Sequence, residues 1–327
     1  MLRWRLLFGA LLIAGLLGLC WLDFRATGES GWFAPPGGWL FPLAVVAGIL
    51  ASVELVGFYR KLPVRPRSGL IYVGNLAIIL SNIVPILWPR CAANLVLGPL
   101  GWPFLVSALA MLAAFFCEMH RYQKPGGVIQ RLALAAFAFS YVGVLMSFVV
   151  QLRLFHGLLP GRDAWGLIAL LSMITVVKMG DSGAYTIGRL FGRHKMAPVL
   201  SPGKTWEGFA GALLFAAIGS WVVFTWLVPW AMSGVTTSSG ANPGAAISGV
   251  AAISTGWGWL IYALVVGVAG LLGDLAESLL KRDVGAKDSS AWLPGFGGVL
   301  DILDSLLFAA PVAYLCWILG MVGPLAK

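Results

Sequence analysis

Apolar residues recur along this chain in nine runs, near 6–22, 38–58, 70–88, 95–117, 132–151, 164–179, 208–230, 257–272 and 299–319. The runs are continuous and lack the period-2 alternation of an outer-membrane barrel. Helices that satisfy their own backbone are therefore expected. A spanning helix needs roughly 20 residues. The sixth and eighth runs fall short of that, which leaves room for helix to continue past the membrane. The pattern predicts an all-α polytopic membrane protein with about nine transmembrane helices and no internal repeat.

Composition agrees, with 59% hydrophobic and 11% charged residues and a mean hydropathy of +0.89, values that belong to a bilayer rather than to a water-soluble core. Charge then sets the orientation. With the N-terminus inside, the inner segments hold 17 of the 22 basic residues and the outer side only Arg25, Arg90, Arg153, Arg162 and Lys327. The positive-inside rule predicts a cytoplasmic N-terminus, an external C-terminus and a multi-pass protein of the cell (inner) membrane. Trp21, Trp39, Trp88, Trp165, Trp230 and Trp257 lie near expected ends, as an aromatic belt requires. The net charge of +9 needs no nucleic acid, because attraction to anionic lipid heads accounts for it. The first run lacks a small-x-small cleavage site and is expected to be a retained helix. Cys20, Cys91, Cys117 and Cys316 are scattered, with neither a disulfide framework nor a zinc or iron–sulfur spacing.

The chain divides near residue 163. Residues 1–163 read as a transmembrane region of about five spans joined by short basic loops. Residues 164–327 add two long cytoplasmic segments, roughly 180–207 and 273–298, and an uncharged outer linker over 232–255. Glu54 and Glu118 sit near span ends and are expected to be hydrated at the interface. Eight of the thirteen acidic residues gather in the inner segments and the start of the last span: Asp181, Glu207, Asp274, Glu277, Asp283, Asp288, Asp301 and Asp304. Topology does not need carboxylates there, and each is costly beside hydrocarbon unless paired, hydrated or bound to metal.

Asp274, Glu277, Ser278 and Lys281 share one helix face at i, i+3, i+4 and i+7, and Asp301, Asp304 and Ser305 repeat that spacing just after Gly297-Gly298. A helix starting at the glycine pair would aim free N–H groups at an anion. Oxygen ligands of this kind suit Mg²⁺, which takes a few carboxylates together with phosphate oxygens. The alternative for one such pair is a salt bridge on a solvated helix; two acidic faces from separate spans favour a metal site. Ser201-Pro-Gly-Lys-Thr-Trp-Glu-Gly208 resembles the tail of a Walker A loop, yet Pro198 stands where the motif needs glycine and no strand is expected before it. That excludes a P-loop NTPase, while Ser201, Lys204 and Thr205 can still hold phosphate at a helix N-terminus. Asp181 is either a third metal-side carboxylate or a helix cap between two spans.

The block Ser278-x-x-Lys281-Arg282-x4-Lys287-Asp288-x-Ser290-x2-Leu293-Pro294-x-x-Gly297-Gly298-x-x-Asp301-x-x-Asp304 resembles the C-terminal signature of the phosphatidate cytidylyltransferases, and DSGAY…G…FG and SPGKTWEG resemble that family upstream, over about residues 165–315. Phe296 stands where the family commonly has histidine, and Ile302 where it commonly has arginine. The resemblance implies Mg²⁺-dependent transfer of CMP from CTP to phosphatidate, giving CDP-diacylglycerol and pyrophosphate at a site facing the cytoplasm. It implies metal ligation by Asp274 and Asp301, then Asp181 and Asp304. Lys281, Arg282 and Lys287 would hold phosphates, and Ser201, Lys204 and Thr205, with Ser278, Asp288, Gly297 and Gly298, would line the substrate site. Asp274 and Asp301 are expected to meet on one divalent ion. The family also implies a homodimer and a second, monovalent ion such as K⁺. The competing readings are another lipid nucleotidyltransferase or polyprenol-type lipid kinase, and an ion-coupled transporter, disfavoured because the charges lie in inner segments rather than at mid-membrane.

Overall fold

Each apolar run becomes a helix, because only helices and closed barrels satisfy their backbone in hydrocarbon. The computed structural model describes residues 2–28, 37–88, 98–155, 162–230, 256–290 and 297–322. Among these residues the helices are α1 (Leu2–Gly28), α2 (Leu40–Tyr59), α3 (Ser68–Leu87), α4 (Gly98–Arg121), α5 (Val128–Arg153), α6 (Arg162–Phe191), α7 (Trp206–Trp230), α8 (Gly258–Asp283) and α9 (Leu300–Ile318). The eight from α2 to α9 are long and apolar enough to cross a membrane, and α1 covers the first expected span. The chain is thus an all-α polytopic membrane protein. The outer linker over 232–255 and Phe296 lie outside the described residues.

The two short runs do continue: α6 reaches Phe191 and α8 reaches Asp283. The stretch expected as a cytoplasmic segment from residue 180 therefore begins as three further turns of α6. It then folds into an antiparallel hairpin, β1 (Lys195–Ala197) with β2 (Ser201–Thr205), pairing Lys195 with Thr205 and Ala197 with Ser201. The expectation that no strand precedes the Gly-Lys-Thr motif is corrected, since that motif is itself the end of β2.

The chain forms two compact units. The first comprises Met1–Leu17, Trp39–Gln151 and Leu280–Leu303; the second comprises Gly18–Gly38, Leu152–Leu279 and Asp304–Lys327. In the first unit Ile78, Ala110, Ala114, Leu132, Ala135 and Phe139 form a core between α3, α4 and α5. Polar side chains inside it are paired, as hydrocarbon demands. Asn75 donates to Ser52 Oγ, Asn82 to Ser147 Oγ, and Gln151 to Asn82 Oδ1, each at 2.9 Å. Glu118 is buried and accepts from Arg131 Nε at 2.7 Å, so the expectation that it is simply hydrated does not hold.

In the second unit α6 and α7 meet along a seam of glycines. A Cβ at Gly183 would strike the Gly211 carbonyl and Phe215, and one at Gly211 would strike Ile187. On α8, Gly267, Gly270 and Gly273 face Ala216, Val177 and the Ser305–Phe308 turn of α9 respectively. Small residues at helical spacing let backbones approach where apolar burial gives no advantage over lipid. Trp165 is fully buried against Trp317, which in turn meets Phe155 and Phe224, rather than in a belt. The other five tryptophans expected at the interface are exposed. Arg153 and Asp23 form a buried ion pair at 2.5 Å.

Gly183→Val forces a branched side chain into this seam. It is expected to cost about 1–3 kcal/mol, the usual range for overpacking, and to lower the melting temperature of the purified chain in detergent. An unchanged melting temperature would contradict the close approach of α6 and α7.

Candidate functional site

The second unit encloses a cavity of about 450 Å³, within the range of small-molecule sites. Helices α6, α7 and α8 and strand β2 line it. Gly180, Gly188, Gly208, Gly267 and Gly270 line it beside apolar side chains such as Val177, Phe209 and Leu271, while its polar side carries Asp181, Ser201, Lys204, Thr205 and Asp274. The glycines that let the helices approach thus also leave the space that the cavity occupies.

Lys204 Nζ lies 2.9 Å from Asp274 Oδ2, and Lys178 Nζ lies 3.1 Å from Asp181 Oδ2. Asp274 and Asp181 stay about two-fifths exposed, at 41% and 40%. Both carboxylates are open to solvent, which screens an ion pair, so an incoming anion can take the lysine and leave the carboxylate to a cation. Asp304, buried on α9, lies within Coulombic reach of both Asp274 and Lys178. Its Oδ1 accepts from the hydroxyl and N–H of Ser305. Asp181 sits in the middle of continuous helix α6, which overturns the alternative that it caps a helix between two spans.

Thr205 lines the cavity and also caps a helix. It is buried at the N-cap of α7, where its Oγ1 accepts from Gly208 N at 3.1 Å. Beside it Glu207, in the first turn of α7, gathers the backbone N–H groups of Arg193 and His194 and lies 2.6 Å from His194 Nδ1. That carboxylate ties the approach to the hairpin onto α7 and so fixes where Lys204 emerges.

The first unit holds the other acidic group. Lys281 Nζ donates to Asp301 Oδ1 at 2.6 Å, and Asp301 Oδ2 accepts from Ser289 N, Ser289 Oγ and Gly298 N at 3.0, 2.6 and 2.7 Å. Both oxygens of Asp301 are therefore held by protein donors, and metal ligation by it requires some of these to let go. Arg282, Lys287 and Asp288 are exposed and Ser278 is half-buried. Gly297 has φ +85°, a left-handed conformation suited to glycine. A Cβ at Gly298 would fall on Ser289 and Glu54. Asp274 belongs to the second unit and Asp301 to the first.

Glu54 was expected to be hydrated, and it is 4% exposed. It accepts from Ser289 Oγ, Ser290 Oγ, Val299 N and Leu300 N. The free N–H groups at the start of α9, expected to meet a bound anion, meet this carboxylate. Its donors lie 235 to 246 residues away in sequence; a lone acid inside an apolar run was the available signal. The lining glycines Gly180, Gly267 and Gly270 were also missed, although Gly267-x-x-Gly270-x-x-Gly273 displays helical spacing of small residues.

Among the described residues no three His, Cys, Asp or Glu side chains gather to hold a metal ion by themselves. Mg²⁺ does not need such a cage, since it keeps waters and takes one or two carboxylates plus phosphate oxygens. Two half-exposed carboxylates on one cavity, with Asp304 behind, fit an ion held jointly with a phosphate-bearing ligand.

Comparison with known proteins yields a match over residues 31–319 to a family model described as "Cytidylyltransferase family". A protein of Haemophilus influenzae named phosphatidate cytidylyltransferase is 38% identical over 176 residues, 54% of this chain and 54% of that one, so the match spans about half the length of that relative. One from Synechocystis with the same name is 28% identical over 303 residues, 85% of this chain and 88% of the relative. Phosphatidate cytidylyltransferase 5, chloroplastic, of Arabidopsis thaliana is 28% identical over 302 residues, 85% of this chain and 66% of the relative.

Removing the capping hydroxyl in Thr205→Ala is expected to cost about 1 kcal/mol of stability, and Thr205→Ser is expected to restore most of it. Chemical denaturation in detergent reads both. Equal stability of all three proteins would contradict the capping role.

Proposed function

The chain belongs to the cytidylyltransferase family, and from that premise we propose that it is a phosphatidate cytidylyltransferase of the membrane. It transfers CMP from CTP to phosphatidate and releases pyrophosphate. The observation that carries this reading is the exchangeable Lys204–Asp274 pair on a cavity shared with Asp181 and lined by α6, α7 and α8. A charged mouth over an apolar, glycine-lined wall suits a nucleotide phosphate meeting a lipid headgroup.

In the reaction an oxygen of the lipid phosphate attacks the α-phosphorus of CTP. A new P–O bond forms there as the bond to the β-phosphate oxygen breaks, and the electron pair leaves with pyrophosphate. The attacking oxygen is already ionised, so no strong general base is required, and a histidine at position 296 is dispensable on that ground. The difficulty is that two anions must meet. Fixed cations aimed at the phosphates lower that repulsion without reorganising during the reaction. Lys204 serves in this way by exchanging Asp274 for a phosphate oxygen. Asp274, with Asp181 and Asp304, would hold Mg²⁺, which when bound supplies charge neutralisation across the phosphates. Lys281, Arg282 and Lys287 match the family's signature cations and are assigned to phosphate binding on that ground, with Ser201 on the nucleotide side. Asp301 supplies the counter-charge that orients Lys281.

The orientation belongs to the same proposal: N-terminus in the cytoplasm of a cell whose inner membrane holds the chain, active side toward cytosolic CTP. The bias of 17 of 22 basic residues supports it, and family resemblance supports a homodimer.

Membranes carrying the chain, incubated with labelled CTP, phosphatidate and Mg²⁺, are expected to yield a lipid-soluble nucleotide. Absence of that product would overturn the reading. Asp274→Asn and Lys204→Met are each expected to reduce CMP transfer by about 100-fold or more while the proteins still insert and fold, as size-exclusion chromatography in detergent would show. Near-normal rates in either variant would remove the cavity from the mechanism.

A further inference from the structure

We propose that Glu54 is a positioning residue for this reaction, tying Ser289 and Ser290 to the start of α9 and so holding the Lys281–Asp301 pair in register; the proposal rests on the function inferred above. The residue lies within α2, far from the signature in sequence, yet in the same compact unit as Leu280–Leu303. Its four hydrogen bonds are evenly divided. Oε1 accepts from Ser290 Oγ at 2.7 Å and Val299 N at 2.9 Å, and Oε2 accepts from Ser289 Oγ at 2.9 Å and Leu300 N at 2.8 Å. Each oxygen thus ties one hydroxyl of Ser289-Ser290 to one amide at the start of α9.

Only a carboxylate suits this place. All four partners donate, and the two amides form the positive end of the α9 dipole. A glutamine would turn its NH₂ group toward one of the two amide N–H groups, donor against donor, and only the hydroxyl beside it could accept instead. Gly298 confirms how closely the carboxylate is enclosed, since a Cβ there would fall on both Glu54 oxygens and on Ser289.

The tie continues to the chemistry. Ser289 Oγ also lies 2.6 Å from Asp301 Oδ2, and Asp301 holds Lys281 at 2.6 Å. One hydroxyl proton serves one carboxylate at a time, so Ser289 couples Glu54 to Asp301, and through it to a signature cation. Glu54 touches no substrate in this arrangement; it acts through Ser289, Asp301 and Lys281.

The test compares the purified full-length chain with Glu54→Gln and Glu54→Asp in lipid nanodiscs, reading amide hydrogen exchange and steady-state kinetics together. In Glu54→Gln the amides of Val299 and Leu300 are expected to exchange about tenfold faster or more, as a local opening would produce. The KM for CTP or phosphatidate is expected to rise about tenfold, with partial recovery in Glu54→Asp. Should Glu54→Gln fail to fold, Ser290→Ala decides, because it removes one donor and leaves the carboxylate three; a smaller shift of the same KM with faster exchange is expected. Unchanged exchange in the variant that folds would overturn the proposal. Faster exchange with both KM values unchanged would also overturn it, leaving Glu54 a structural tie only. Exchange is measured without turnover, so a wild-type chain that transfers no CMP would instead overturn the proposed function.

Discussion

A carboxylate inside a membrane-spanning helix must find donors, water or a counter-charge, because hydrocarbon offers none of them. This constraint organises the protein. Asp23 is paired with Arg153, Glu118 with Arg131, Glu54 with two hydroxyls and two amides, and Asp301 with Lys281 and three further donors. Asp274 and Asp181 differ. They keep substantial exposure and each lies in an ion pair with one lysine near the cavity. Carboxylates that are fully engaged hold helices and segments together; those with one exchangeable partner are available to ligands.

The glycine seams serve the same end by a different route. In lipid, helix association rests on close packing and hydrogen bonding rather than on burial of apolar area. Bringing α6 against α7 through Gly183 and Gly211 secures the packing, and Gly267 and Gly270 on α8 line the cavity beside it. Headgroup-sized space therefore arises from the residues that stabilise the second unit. Packed helices line that space and the hairpin bearing Lys204 lines it too, so a cation is presented on a short, tethered element rather than on a free loop.

Much of the fold was legible because the bilayer imposes length and apolarity on every span. Among the described residues each of the nine runs is represented by a helix, and even the continuation of the sixth and eighth followed from their shortness. What escaped depends on distant parts of the chain. Asp-Ser-Gly-Ala-Tyr after Lys178 looks like the end of a span, yet it is mid-helix because Gly183 packs on α7. Trp165 matches a belt position by location and is buried by aromatic neighbours that the local pattern does not reveal. Thr205 was singled out for phosphate, and its second task, capping α7, was not. For Asp274, Lys204 and Asp181, charge placed against an apolar background was signal enough to single them out, and the fold gathers all three on one cavity.

The most direct test of the central claim is the structure of the chain bound to Mg²⁺ and a non-hydrolysable CTP analogue. The account predicts nucleotide phosphates within hydrogen-bonding distance of Lys204 Nζ and a cation on the Asp274 carboxylate, with the Lys204–Asp274 contact opened. A nucleotide bound outside this cavity, with that pair intact, would contradict it.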